Sequence, residues 1–239
     1  MTSRDAVELV ESAISNHGCF KKAAQHLDAL PSDPAAVEVL LGAFRIGDAP
    51  PWLTAHLLGC IGHKSGYAAA REILFAAPGM LAESYAGVAL AKIGGRSALD
   101  DLTGIIREAP KRVSREGAAY GLGHLASRQA VVVLLAACRE ELIGWDTAGG
   151  ILATLPITAA EAIALLRSDD PRDVRLGTEV ISMRDGARME EPPSWSGHDL
   201  EQLSRVVQDS LRRSDVRMAP RKRRRLSDWV HRVSRGENR

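Results

Sequence analysis

The chain has 239 residues, of which 45% are hydrophobic and 26% are charged, and its formal net charge is +1. This is the composition of a folded globular protein, so a disordered or fibrous chain is excluded. No apolar run approaches the roughly 20 residues that a membrane-spanning helix needs, so we expect no membrane span. The polar, acidic start is unlike a secretory signal, and three cysteines do not make a disulfide framework, which together favour a cytoplasmic location.

The first predicted element is an extra N-terminal helix over residues 4–16. Its apolar residues recur on one helical face, as expected for a helix that packs against a core. These residues are Ala6, Leu9, Val10, Ala13 and Ile14.

A repeat of about 32 residues organises the chain from about residue 18 to 183. Its most regular row has spacings of 32, 32, 30 and 28 residues and consists of Leu58, Leu90, Leu122, Leu152 and Val180. Three positions before each of these stands a small residue, at Ala55, Gly87, Ala119, Gly149 and Gly177. A second row consists of Ala70, Leu102, Leu134 and Ala164. Several rows with one shared spacing indicate repeated structural units.

Each repeat has the pattern of two helices. In the third repeat, apolar residues follow one helical face over residues 98–109, and Pro110 ends the helix. The small residues predict that neighbouring helices approach closely. Alternating segments with hairpin turns, which are typical of strands, are missing. The sequence therefore predicts an all-α fold, an α-solenoid of about six helical hairpins.

Two stretches of the array, 113–125 (VSREGAAYGLGHL) and 173–180 (DVRLGTEV), carry a pattern close to V-R-x-x-A-A-x-x-L-G-x-L/I. This pattern resembles the HEAT-like repeats of the phycobilisome-lyase type. The resemblance covers about residues 50–183 well and 18–47 loosely, and the chain departs from it at Asp146-Thr147 and after Met183. It implies HEAT-like helical hairpins with a binding surface, and it implies no enzymatic activity.

The C-terminal part differs from the array, which we place at 1–183. Residues 184–197 contain Pro192-Pro193 and two glycines, so they are predicted to form a loop. Two further amphipathic helices, over 198–214 and about 219–235, are predicted to form a helical cap in the segment 198–239. We expect the array, the loop and the cap to belong to one domain.

The HEAT-like resemblance implies that the second helix of each hairpin lines a concave binding face. The repeat register places Ala68, Asp100, Val132 and Ala162 in one line, and Ala69, Asp101, Val133 and Ile163 beside it. Val132 and Val133 replace acidic residues of the preceding repeat, which predicts an apolar spot flanked by charge. Trp195, in the loop, is either a partner anchor or a latch onto its own body. The candidate protein-binding residues are Arg71, Phe75, Asp100, Asp101, Arg107, Val132, Val133, Arg139 and Trp195.

A basic run near the C-terminus supports a different function. It consists of Arg221, Lys222, Arg223, Arg224 and Arg225, and residues 212–239 carry a net charge of +8 against −7 for the rest of the chain. Such a run can neutralise nucleic-acid phosphates. The following residues form an apolar helical stripe, which instead predicts a structural cap with a solvated outer face. A third alternative is contact with an anionic membrane surface.

His56, Cys60 and His63 stand at i, i+4 and i+7 of one helix, a spacing that zinc could use. No second cluster offers a fourth ligand. Cys60 also shares its repeat position with Lys92 and His124, so a role at the helix surface is favoured. We expect no metal and no cofactor.

The sequence carries none of the motifs of a nucleophile elbow, a zinc protease or a C-x-x-C redox centre. We therefore interpret the chain as a non-enzymatic, protein-binding scaffold or adaptor, of the kind that serves bacteria as an inhibitor, an immunity factor or an assembly factor. Its partner is then another protein. The alternative is a nucleic-acid-binding protein that uses the basic C-terminal helix.

Overall fold

The computed structural model describes residues 3–76, 79–186, 195–213, 216 and 218–236. These residues are almost entirely helical and contain no β-strand, which confirms the all-α prediction for the described part of the chain. Contacts divide the chain into two compact units, Met1–Leu125 and Ala126–Arg239. None of the described helices is both long and apolar enough to cross a membrane.

Unit 1 contains the first eight α-helices. Its helices are α1 Ser3–Ser15, α2 Phe20–Asp28, α3 Pro34–Ile46, α4 Pro51–Ile61, α5 Tyr67–Ala76, α6 Met80–Gly94, α7 Ala98–Glu108 and α8 Arg112–Leu125. Helices α2, α4, α6 and α8 pack side by side in that order. Helix α5 packs on α4 and α6, and α7 packs on α6 and α8, so the first and second helices of successive hairpins alternate along the unit.

Close backbone contact joins α6 to α8. A Cβ atom added at Gly87 would lie 1.8 Å from the carbonyl oxygen of Gly117, and one added at Gly121 would lie 2.4 Å from the carbonyl oxygen of Gly87. Real Cβ atoms do not approach backbone this closely, so these positions require glycine. Gly87, the small residue of the third repeat, therefore permits the close approach that the sequence predicted.

Unit 2 contains the remaining helices. They are α9 Arg128–Arg139, α10 Trp145–Leu152, α11 Ala159–Arg167, α12 Pro171–Gly186, α13 Gly197–Arg212 and α14 Pro220–Ser234. Helix α12 packs on both α10 and α11, α13 packs on α11, and α14 packs on α13 and α12. The predicted apolar stripe of α14 is confirmed, since Leu226, Trp229, Val230 and Val233 are all buried in the core of this unit.

Local sequence signals set several helix boundaries. Asp33 accepts a hydrogen bond from the backbone N–H of Ala35 and so caps the start of α3. Thr158 and Glu161 form a reciprocal capping box at the start of α11. Gly47 ends α3 in the left-handed conformation, at φ 88°.

The predicted register is wrong in α11. Ala70, Leu102 and Leu134 of the second row are buried, whereas Ala164, the last member of that row, is exposed and Ile163 is buried in its place. The row therefore continues from Leu134 to Ile163 rather than to Ala164. The same shift buries Ala162, which the sequence placed on the binding line with Val132. The chain between α10 and α11 is one residue shorter than the predicted register requires, and this accounts for the shift.

The predicted loop over 184–197 is shorter at both ends. Helix α12 continues to Gly186, and α13 begins at Gly197. Residues 187–194 lie outside the described residues. The predicted cap helices correspond to α13 and α14.

Candidate binding surfaces

One candidate surface, on α5 and α7 of unit 1, is organised around Asp101. The Asp101 carboxylate accepts a hydrogen bond from the Tyr67 hydroxyl at 2.9 Å and pairs with the Arg71 guanidinium at 3.3 Å. The Arg71 guanidinium carbon lies 5.1 Å from the centroid of the Phe75 ring. Burial, followed by the hydrogen bond to Asp101, raises the pKa of Tyr67 to about 12, so this hydroxyl stays protonated and donates.

The structure thus brings together Arg71, Phe75 and Asp101, three of the residues that the sequence singled out. An open depression of about 510 Å³ adjoins them and is lined by Ala68, Arg71, Glu72, Phe75 and Ala76. Asp100 and Arg107 are exposed on α7, and no described contact joins them to this network.

A second candidate surface is a stripe on α9 of unit 2, which we call the α9 stripe. It consists of Arg128, Val132, Leu135 and Arg139, at positions i, i+4, i+7 and i+11 of one helical face. Val132 is 56% exposed, although its neighbour Val131 is fully buried. Val133 and Leu135 are partly exposed.

Both ends of the α9 stripe are held by ion pairs within unit 2. Arg128 forms a bidentate ion pair with Glu161 of α11, in which one N–O distance is 2.5 Å. Arg139 forms a second bidentate ion pair, with Asp173 of α12, in which the N–O distances are 3.0 and 3.2 Å. The stripe is therefore apolar in the middle and charged but paired at its ends.

The pair between Arg128 and Glu161 has a consequence for acid stability. The hydrogen bonds from Arg128, with those from Thr158, lower the pKa of Glu161 to about 2. Because this value lies below the ordinary 4.5, the stabilisation is complete above about pH 4.5 and is lost as the pH falls toward 2. We expect Arg128→Ala to flatten the pH dependence of the free energy of unfolding in this interval.

Denaturant unfolding at a series of pH values measures this effect. At neutral pH the free energy of unfolding should change little, because the pair is partly exposed and is screened by solvent. Arg167→Ala, which removes an exposed arginine of the same unit, should leave the pH profile unchanged. Identical profiles for the wild type and Arg128→Ala would contradict the expectation.

Trp195 contacts its own unit. Its indole N–H donates to the carbonyl oxygen of Ile157 at 3.3 Å, and the Arg184 guanidinium carbon lies 4.2 Å from the centroid of its ring. Arg184 in turn donates to the carbonyl oxygens of Ala153 and Leu155, and its burial lowers its pKa to about 10. These contacts correspond to the second alternative for Trp195, in which it packs against its own protein rather than against a partner.

The basic run does not act as a single surface. Lys222 forms an ion pair with the buried Glu179 of α12, and its Nζ atom lies 4.9 Å from the centroid of the Trp145 ring. Arg223 donates to the carbonyl oxygen of Leu211. Arg221, Arg224 and Arg225 are exposed on α14. The sequence could not distinguish these positions.

The structure does not assemble the candidate zinc ligands. The His63 ring bonds to the Ser65 hydroxyl at 2.8 Å and caps a short 3₁₀ helix, whereas the His56 ring packs against Tyr85. Burial raises the pKa of Cys60 to about 11, which favours the protonated thiol. Across the described residues, no group of three or more His, Cys, Asp or Glu side chains is placed to hold a metal ion.

Sequence reasoning missed a cluster around an ion pair between Asp28 of α2 and Lys92 of α6, whose Nζ–Oδ1 distance is 2.6 Å. Lys92 crosses α4 to reach Asp28, and its Cδ lies near Gly59. Burial, with the nearby Lys92 charge, lowers the pKa values of His56 and His124. The sequence feature that could have indicated this cluster is the repeat position that Cys60, Lys92 and His124 share. The pair ties together helices that are not adjacent.

Comparison of the chain with models of protein families, with curated proteins and with solved structures finds no match.

Proposed function

We propose that the protein is a non-enzymatic, protein-binding scaffold or adaptor built of HEAT-like helical hairpins, with the α9 stripe as a principal contact surface. Two features of the helix packing support the repeat assignment. In unit 1, α4, α6 and α8 pack in succession and α5 and α7 lie alongside them. In unit 2, α10 and α12 pack together and α11 lies on α12. Within each of these sets, neighbouring helices contact one another in succession, as expected for an α-solenoid.

The exposure of Val132 carries the functional proposal. A single exposed valine is ordinary on a protein surface. Here, however, Val132 is at the middle of a stripe whose two terminal arginines are already paired with carboxylates. An apolar centre within a charged rim is the composition of a protein–protein contact. The paired arginines are also held in place, which reduces the entropy lost on binding.

The test compares the capture of a partner by the 239-residue chain and by two single-residue variants of it. We expect Val132→Glu to bind a captured partner at least about 30-fold more weakly, because a buried hot-spot residue contributes about 2 kcal/mol or more. The partner is identified by mass spectrometry after nuclease treatment, and its affinity is then measured with purified proteins. Helicity and melting temperature should match the wild type, since Val132 is exposed.

Gln129→Glu is the matched control. It introduces the same charge at another exposed position of α9, one turn before Val132, and Gln129 is not a member of the stripe. Equal binding by Val132→Glu and Gln129→Glu would contradict the assignment of the stripe. Unfolding of Val132→Glu would show that Val132 belongs to the core.

A further inference from the structure

The outward face of α14 is strongly basic. Helix α14 buries Leu226, Trp229, Val230 and Val233, so the opposite side faces solvent. Arg221 and Arg224 lie on that side, are exposed, and have no ion pair with a described carboxylate. Arg225 and Arg235 are exposed on the same helix and its C-terminal end. From Arg221 to Arg235 the helical rise covers about 21 Å.

We propose that this face of α14 binds the phosphodiester backbone of double-stranded nucleic acid, with Arg221 and Arg224 as the principal contacts. The inference is independent of the protein-binding function of the α9 stripe. Guanidinium groups match the geometry of phosphate oxygens and remain charged at any working pH. Lys222 has no part in this contact, because it is turned inward toward Glu179.

The carboxylates of unit 2 oppose this binding less than their number implies. Several of them already form ion pairs with basic residues of the same unit. These are Glu141, Glu161, Asp170, Asp173, Glu179 and Asp209. On α14 itself, Asp228 is the exposed acidic residue among the described positions.

The burial of the apolar stripe argues against a membrane surface. An amphipathic helix binds a bilayer by inserting its apolar side chains below the headgroups. In α14 these side chains form part of the core of unit 2 with Leu203 and Val207 of α13. The helix would have to leave the core before it could insert.

The composition of the outward face argues against a protein partner and against single strands. From Arg221 to Arg235, the exposed residues of α14 and its C-terminal end are arginines together with Asp228, His231 and Ser234. None of them is aliphatic, so the face lacks the apolar centre of a protein interface. None is Trp, Tyr or Phe, so the usual stacking platform for unpaired bases is absent from this face. Phosphate contacts alone imply duplex binding without sequence preference.

Fluorescence anisotropy with a labelled DNA duplex, over about 50 to 200 mM salt, tests the proposal. The wild type should bind, with an affinity that falls steeply as salt rises. In Arg221→Gln/Arg224→Gln, the slope of log affinity against log salt should decrease in magnitude by about 1.8, since each lost phosphate contact removes roughly 0.9. Asp228→Asn should bind about twofold more tightly, because it removes an opposing charge.

Lys64→Gln/Arg96→Gln is the matched control, since it removes two exposed positive charges in unit 1. It should retain the wild-type slope. Failure of the wild type to bind at low salt, or an equal change of slope in both double variants, would overturn the proposal. Tighter binding to phosphatidylserine vesicles than to duplex would assign the face to a membrane. Displacement of the duplex by polyglutamate at equal charge concentration would assign it to an acidic protein.

Discussion

Gly87→Ala should destabilise the protein by about 3 kcal/mol or more, although it adds only one methyl group. The new Cβ would lie 1.8 Å from the Gly117 carbonyl oxygen, which belongs to the backbone of the facing helix. A side chain could rotate away, but a helix backbone cannot. Helices α6 and α8 would have to separate, which would also open contacts that both helices make with α7.

The measurement is equilibrium unfolding in denaturant, followed by helical circular dichroism. Gly104→Ala is the control, because a Cβ at this position of α7 meets nothing within 4 Å. It should stabilise the protein by about 0.5–1 kcal/mol through the lower entropy of the unfolded chain. A wild-type unfolding midpoint for Gly87→Ala would show that α6 and α8 do not make backbone contact.

Lys222→Ala should lower the free energy of unfolding by about 3 kcal/mol, far more than the loss of an ordinary surface lysine would. The Glu179 side chain is only 3% exposed, and Lys222 is its ion-pair partner. Removal of the ammonium group leaves a buried carboxylate without its counter-charge. It also removes the cation–π contact of Lys222 with the Trp145 ring. Arg175 contacts the same ring, and its guanidinium carbon lies 3.5 Å from the ring centroid.

Two further variants make the result specific to the ion pair. Arg221→Ala removes the adjacent, exposed base and should change the free energy of unfolding by less than about 0.5 kcal/mol. Lys222→Met combined with Glu179→Gln removes both charges and should recover much of the stability lost by Lys222→Ala. If Lys222→Ala and Arg221→Ala unfold at the same denaturant concentration, Lys222 is not an anchor of α14.

The Lys222→Ala and Arg221→Ala variants also separate stability from binding in the basic run. Lys222 holds α14 on α12, whereas Arg221 and Arg224 face solvent. A variant that neutralises the whole run would combine both effects, and weak nucleic-acid binding could then follow from loss of structure. Substitution of Arg221 and Arg224 alone avoids this ambiguity.

The register of α11 could not be predicted correctly by comparing the repeats within the sequence. The rows Leu58, Leu90 and Leu122 keep a constant spacing, so their burial could be predicted. Between Leu134 and Ile163 the spacing shortens to 29 residues, and α10 is a helix of only eight residues. Small residues are frequent in this region, so a shift of one residue left the apolar pattern almost unchanged.

The sequence by itself determined the helical class, the close approach of the repeat helices, the apolar stripe of α14 and the exposure of Val132. These features depend on local periodicity and side-chain size, which a single chain displays directly. Only the tertiary structure decided that Lys222 turns inward to Glu179, that Lys92 reaches Asp28 across α4, and that Trp195 lies against Arg184. Each of these contacts joins residues about 11 to 64 positions apart, and long side chains can turn either way from a helix. Their direction is set by the charge or ring that packing places within reach.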